Sequence, residues 1–209
     1  MKLYLSSIDI PTPSDLSGLL GKALAETTVA LIPNAKDYYA GRAWDFTIGQ
    51  RVSLFESLGM KVKVVDLRDY NSADVLKQQF EPCDLIWAMG GNTFMLRHQM
   101  HRSGFDDIIE DLAERGVIYG GDSAGALVAG ASIGGINLES SDEPQFAEEI
   151  MEDGLGLVPY IIVPHVDNAE FTEVMKMVDA RPDQDKIIRL KDSQAVIFND
   201  KGYKVVEAK

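Results

Sequence analysis

The chain has 209 residues, 45% of them hydrophobic, enough to bury a sizeable core as one domain over residues 1–209. Its 33 acidic residues outnumber 20 basic ones for a formal net charge of −13, which argues against nucleic acid as a partner, because phosphate contacts need a Lys/Arg surface. One cysteine, Cys83, excludes an internal disulfide, and no apolar run is long enough to span a bilayer or act as a secretory signal, so a soluble cytoplasmic protein that does not engage membranes is expected.

Strand-like and helix-like runs alternate along the chain. "KLYLSS" and "TVALIPNA" are short apolar runs ending in small or polar residues, as strands do before a functional loop. From Arg42 to Leu58, apolar Ile48, Val52, Phe55 and Leu58 recur at three- and four-residue spacing, and Gly59 closes that predicted helix. "KVKVVDL" and "DLIWAMGG" read as further strands, with Cys83 a small core residue at the entry to the second. "TFMLRHQMHRSG" and "FDDIIEDLAERG" follow as two helices, each ending at glycine. "VIY" leads into a glycine-rich turn, and "ALVAG" starts the helix beyond it.

The last third holds a strand, "PYIIVPHVDN", a helix, "EFTEVMKMVDA", and a strand region, "KIIRLKDSQAVIFNDKGYKVVEA", in which "NDKG" marks a hairpin. The acidic stretch from Leu138 to Gly154 reads as a long loop or lid. Repeated strand–helix–strand order predicts an α/β three-layer sandwich with a mainly parallel sheet, whose ligands sit beyond the carboxyl ends of the strands. Asn34, the Gly90–Asn92 turn and the Gly120–Ser123 turn all fall at such ends.

The segment "GGDSAGALVAG" sets one serine among glycines and alanines at a strand-to-helix turn. Gly121 to Gly125 fit G-x-S-x-G, a spacing that lets a serine stand clear of a strained backbone while the helix start offers the Ala124 N–H to a developing oxyanion. The serine needs a base. His98 and His101 lie three apart on one helix beside arginines, with the look of a solvated or half-buried face and no ligand set for a metal. His165 instead follows "YIIVP", at the end of a strand, in the layer expected for Ser123.

The base needs a carboxylate to hold its tautomer. Two compete: Asp192, in a kink between two apolar runs, and Asp142, in the acidic loop. A mobile carboxylate orients poorly, which favours Asp192. The Gly90–Gly91–Asn92–Thr93 turn is placed to supply a second oxyanion donor, the Gly91 N–H, although a helix cap would look the same. Asn92, Asp122 and Asn168 flank these groups and are the candidates for touching substrate. No metal or organic cofactor is called for.

"AMGGNTFMLRHQM", "YGGDSAGALVAG", "IVPHVDN" and "LKDSQAV", in this order, resemble the signature segments of the dipeptidase E / cyanophycinase family of serine peptidases, from about Leu85 to Ala195. The resemblance implies a class I glutamine amidotransferase-like (flavodoxin-like) sandwich and amide hydrolysis through an acyl-enzyme. Ser123 matches the family nucleophile, His165 the base, and Gly91 and Ala124 the oxyanion donors. It leaves the acid between Asp142 and Asp192. An exopeptidase acting on short peptides, as a monomer or homodimer, is expected.

Two departures concern the substrate. Dipeptidase E acts on dipeptides with N-terminal aspartate and uses an arginine after the histidine segment, whereas here no arginine follows "PHVDN" before Arg181. Asp122 also replaces the aromatic residue found beside the serine. An anionic substrate would be repelled unless Arg181, Arg42 or Lys36 folds in. The rival readings are an esterase of the α/β-hydrolase type, which lacks its His-Gly-Gly segment here, and an inactive small-molecule binding protein on the same scaffold.

Overall fold

The computed structural model describes residues 1–136 and 147–208. A seven-stranded sheet runs through the molecule. In chain order its strands are β1 (Leu3–Ser6), β2 (Thr28–Ile32), β3 (Lys61–Val64), β4 (Leu85–Ala88), β5 (Ile118–Asp122), β8 (Gln194–Asn199) and β9 (Gly202–Glu207), arranged β3-β2-β4-β5-β1-β8-β9. The first five pair in parallel, while β8 runs antiparallel to β1 and β9 antiparallel to β8. Between β5 and β8 lie β6 (Ile161–Val163) and β7 (Ile187–Arg189), which pair in parallel as a separate two-stranded sheet. The mainly parallel α/β sandwich and the C-terminal hairpin are therefore as expected, but the histidine-bearing strand is not part of the main sheet.

The inner strands read as unbroken apolar runs because both faces are covered. Along β1, Leu3 and Leu5 join one core, with Ala30, Ile32, Ile86 and Leu96, while Tyr4 joins the other, with Val29, Leu31, Phe55 and Trp87. The helices that cover them are α1 (Pro13–Leu20), α2 (Arg42–Ser57), α3 (Ala73–Phe80), α4 (Thr93–Ser103), α5 (Ile109–Glu114), α6 (Ala124–Leu127) and α7 (Thr172–Asp179). Pattern reading passed over α1 and α3, each of which buries two apolar residues one helical turn apart: Leu16 and Leu19, Leu76 and Phe80. Cys83 is buried in the core, as expected of it.

Register puts the carboxyl ends of three strands at one edge of the sheet. Ser6, the last residue of β1, lies opposite Asp122 of β5 on one side and Ala195 of β8 on the other. Ala88, ending β4, lies opposite Gly121. Because β8 is reversed, it is the loop before it, not after it, that meets the carboxyl ends of the parallel strands. Among the described residues, no helix is long and apolar enough to cross a membrane.

Candidate active site

Ser123 sits between β5 and α6 with φ 50° and ψ −113°, a backbone conformation that a serine rarely adopts. Its N–H donates to the Ser6 carbonyl at 3.1 Å, and its carbonyl accepts from Ala126 and Leu127, so the turn is pinned on both sides. The glycines around it permit close approach. A side chain at Gly125 would run into the Ala88 carbonyl, and one at Gly90 would lie 2.9 Å from the Ser123 Cβ. The β4–α4 turn therefore rests directly on the serine turn.

His165 follows β6, and Asp192 follows β7. Parallel pairing of those strands, continued by the Leu190 N–H to the Val163 carbonyl at 2.8 Å, brings the two residues side by side. His165 Nε2 lies 2.9 Å from Ser123 Oγ, and Nδ1 lies 2.6 Å from Asp192 Oδ1. The imidazole is buried and stacks on Phe171, with centroids 4.6 Å apart and planes 20° off parallel. Its backbone φ of 62° is also unusual for a side-chain-bearing residue.

Asp192 accepts from Ser7 Oγ at 2.9 Å and from Asn168 Nδ2 at 3.2 Å as well. Burial alone would raise its carboxyl; the hydrogen bonds from His165, Ser7 and Asn168 outweigh that and hold it below the usual carboxylate range. Its backbone N–H donates to Asp167 Oδ1 at 2.9 Å. The competing acid, Asp142, falls within residues 137–146, outside the described residues.

Asp122 is buried one residue before the serine. One carboxylate oxygen accepts from the Trp87 indole at 2.8 Å and the other from Arg51 at 3.0 Å. Burial pushes its carboxyl up, against the pull of Arg51 and Trp87. Arg51 also pairs with Asp9. Sequence reading missed Arg51: on an amphipathic helix it looks like any solvated charge.

Of the other expected contacts, Asn92 uses its side-chain oxygen to cap α4, accepting from the Met95 N–H at 2.8 Å. Asn168 is turned toward Asp192, and its oxygen accepts from the Glu170 N–H at 3.0 Å. His98 is buried rather than solvated, whereas His101 is exposed and lies 3.1 Å from Asp106. Among the described residues, no group of three or more His, Cys, Asp or Glu could hold a metal ion.

A cleft of about 190 Å³ opens onto the serine, lined by Ser7, Ile8, Lys36, Arg51, Gly90, Gly91, Asp122, Ser123 and His165. Lys36 and Arg51 also line a neighbouring hollow of about 370 Å³ with Asp9, Gln50 and Met89. Of the three cations weighed for an anionic substrate, Lys36 faces the cleft. Arg181 is bound to Asp183 and the Gly134 carbonyl, and Arg42 opens α2 at an exposed position. Among the described residues, no hydrogen bond engages the N–H of Gly91 or of Ala124.

A parallel-sheet sandwich that carries a serine on a strained strand-to-helix turn is an architecture of hydrolases, and known proteins agree. Residues 11–206 match peptidase family S51. An uncharacterized peptidase of Listeria innocua, Lin0382, is 32% identical over 78% of this chain and 74% of its own. Peptidase E of Haemophilus influenzae is 33% identical over 66% of this chain and 57% of its own. The crystal structure of a candidate peptidase E protein from Listeria monocytogenes EGD-e superimposes with a TM-score of 0.83 at 26% identity, covering 100% of this chain and 98% of that one.

The chain belongs to peptidase family S51. It is a serine peptidase with a dipeptidase E-like fold, and membership sets aside the α/β-hydrolase esterase reading.

Proposed function

We propose that the protein hydrolyses short peptides through an acyl-enzyme, with Ser123 as nucleophile, His165 as general base and Asp192 as the acid that orients it. The observation that carries this reading is the continuous pair of contacts, 2.9 Å from Ser123 Oγ to His165 Nε2 and 2.6 Å from His165 Nδ1 to Asp192 Oδ1. Ser123 Oγ attacks the scissile carbonyl as its proton passes to Nε2. The imidazolium, stabilised by Asp192, then returns that proton to the leaving amine. Water repeats the sequence on the acyl-serine and releases the second product.

The Gly91 and Ala124 N–H groups are the oxyanion donors in this scheme. Both belong to turns that touch the serine, and neither is committed to another acceptor among the described residues. Lys36, whose stem runs beside Gly91, is the cation that meets a substrate carboxylate. The cleft is small, which suits short peptides acted on as an exopeptidase.

The test is release of amine from X-Leu dipeptides, with Asp, Ala, Gly and Lys as X, by wild type and Ser123→Ala side by side. Serine-dependent cleavage is expected, with kcat lowered roughly 10⁴–10⁶-fold in the variant. A loss below tenfold would remove Ser123 from the nucleophile role. Cleavage by neither protein would overturn these dipeptides as substrates, leaving a longer or modified peptide or the inactive binding protein.

A further inference from the structure

We propose that Ser7 is a positioning residue that, together with Asp192, decides which ring nitrogen of His165 carries the proton. The proposal rests on the Ser123–His165–Asp192 reading above. Ser7 follows β1 directly and is fully buried. Its hydroxyl meets three groups: the His165 backbone N–H at 2.8 Å, Asp192 Oδ1 at 2.9 Å and His165 Nδ1 at 3.2 Å.

A proton count orders these contacts. The backbone N–H can only donate, so the Ser7 oxygen accepts there. An ionised carboxylate can only accept, so the single hydroxyl proton goes to Asp192. Toward Nδ1 the Ser7 oxygen then has only a lone pair to offer. Nδ1 faces two acceptors, Asp192 Oδ1 at 2.6 Å and Ser7 Oγ at 3.2 Å, and therefore holds the ring proton. Nε2 is left with its lone pair toward Ser123 Oγ, as proton removal requires.

The arrangement has a second setting. Without the Asp192 carboxylate, the Ser7 hydroxyl is free to rotate and donate to Nδ1. The ring proton then moves to Nε2, where it faces the serine and blocks its activation. Ser7 thus supports the reactive tautomer while Asp192 is present and supports the unreactive one when it is not. The same hydroxyl pins the His165 backbone at its unusual φ, while the preceding residue, Ser6, accepts from the Ser123 N–H.

The experiment is a double-mutant cycle read in two ways, by kcat on a cleaved dipeptide and by ¹⁵N chemical shifts of the His165 ring, which report the tautomer whether or not the enzyme turns over. Ser7→Ala alone is expected to lower kcat about 10- to 100-fold with KM nearly unchanged, and Ser7→Thr to restore most of it. Asp192→Ala is expected to lower kcat about 10⁴-fold and to move the ring proton to Nε2. Adding Ser7→Ala to Asp192→Ala should then raise kcat rather than lower it, and return part of the population to the Nδ1–H form.

Two results would overturn the proposal: equal losses from Ser7→Ala in both backgrounds, or an Nδ1–H ring in Asp192→Ala. Asp192→Ala keeps Ser7 in place, so the ring measurement stands even if Ser7→Ala does not fold. Failure of the nucleophile assignment would show separately, as activity retained by Ser123→Ala.

Discussion

The Trp87 indole N–H donates to the Asp122 carboxylate at 2.8 Å, linking β4, which leads into the glycine-rich turn, to β5, which ends at the serine turn. With Arg51 on the other oxygen, this forms an ion pair between a buried carboxylate and a half-buried guanidinium, braced by a neutral donor, one residue from the candidate nucleophile. Removing one partner of such a pair leaves the rest desolvated and unpaired. Asp122→Ala is therefore expected to lower stability by about 2–4 kcal/mol, moderated because Arg51 keeps Asp9 as a partner. Urea unfolding of wild type and variant measures it. A change within 0.5 kcal/mol, the ordinary range for surface sites, would mean that the pair contributes no net stability.

The two acids are separated by substitution. Asp192→Asn is expected to cost about 10⁴-fold in kcat, as loss of the orienting carboxylate does elsewhere, while Asp142→Asn stays within about threefold. Kinetics on one cleaved dipeptide decides between them, and the reverse ranking would transfer the role to Asp142. The pH dependence of stability has a defined sign. The folded-state pKa of Asp192 is depressed, so its contribution is present above the ordinary carboxylate value near 3.9 and is lost as pH falls through the lower folded value. Acid unfolding of Asp192→Asn should accordingly be less steep than that of wild type below about pH 4.

Lys36 gives a prediction about substrate choice. It lines both the cleft at Ser123 and the neighbouring hollow, whereas Arg51 beside it is already paired with two carboxylates. Lys36→Met should lower kcat/KM for Asp-Leu by about tenfold or more relative to Ala-Leu, since a close charge pair in a partly enclosed site is worth more than an exposed one. An unchanged ratio would assign recognition of the substrate carboxylate elsewhere.

What the sequence revealed was uneven, for physical reasons. Ser123 was legible because a strained turn needs small neighbours, and those neighbours are written consecutively around it. His165 was legible from its place after an apolar run, yet the run belongs to the two-stranded sheet rather than the main one. No periodicity reports which sheet a three-residue strand will join. Asp192 stood out as a carboxylate between apolar runs, and the structure puts it against His165.

Ser7 and Arg51 left no comparable mark. Ser7 is one of two serines closing "KLYLSS", and its partners lie 158 and 185 residues further along the chain. Arg51 sits on a helix whose outer face carries other charges, and only the tertiary approach of Asp122 distinguishes it. The helix over Pro13–Leu20 was open to reading from Pro13 at its first turn and Gly21 at its end.

The 185-residue separation between Ser7 and Asp192 has a consequence for biosynthesis. A chain emerging from the ribosome N-terminus first presents β1 early, but the carboxylate just before the strand that pairs with its outer side is made only 185 residues after Ser7. Until then the elbow, the histidine and the glycine-rich turn exist without the carboxylate to which the proposed mechanism gives the orienting role. On that mechanism, full activity waits until the sheet receives its reversed strand.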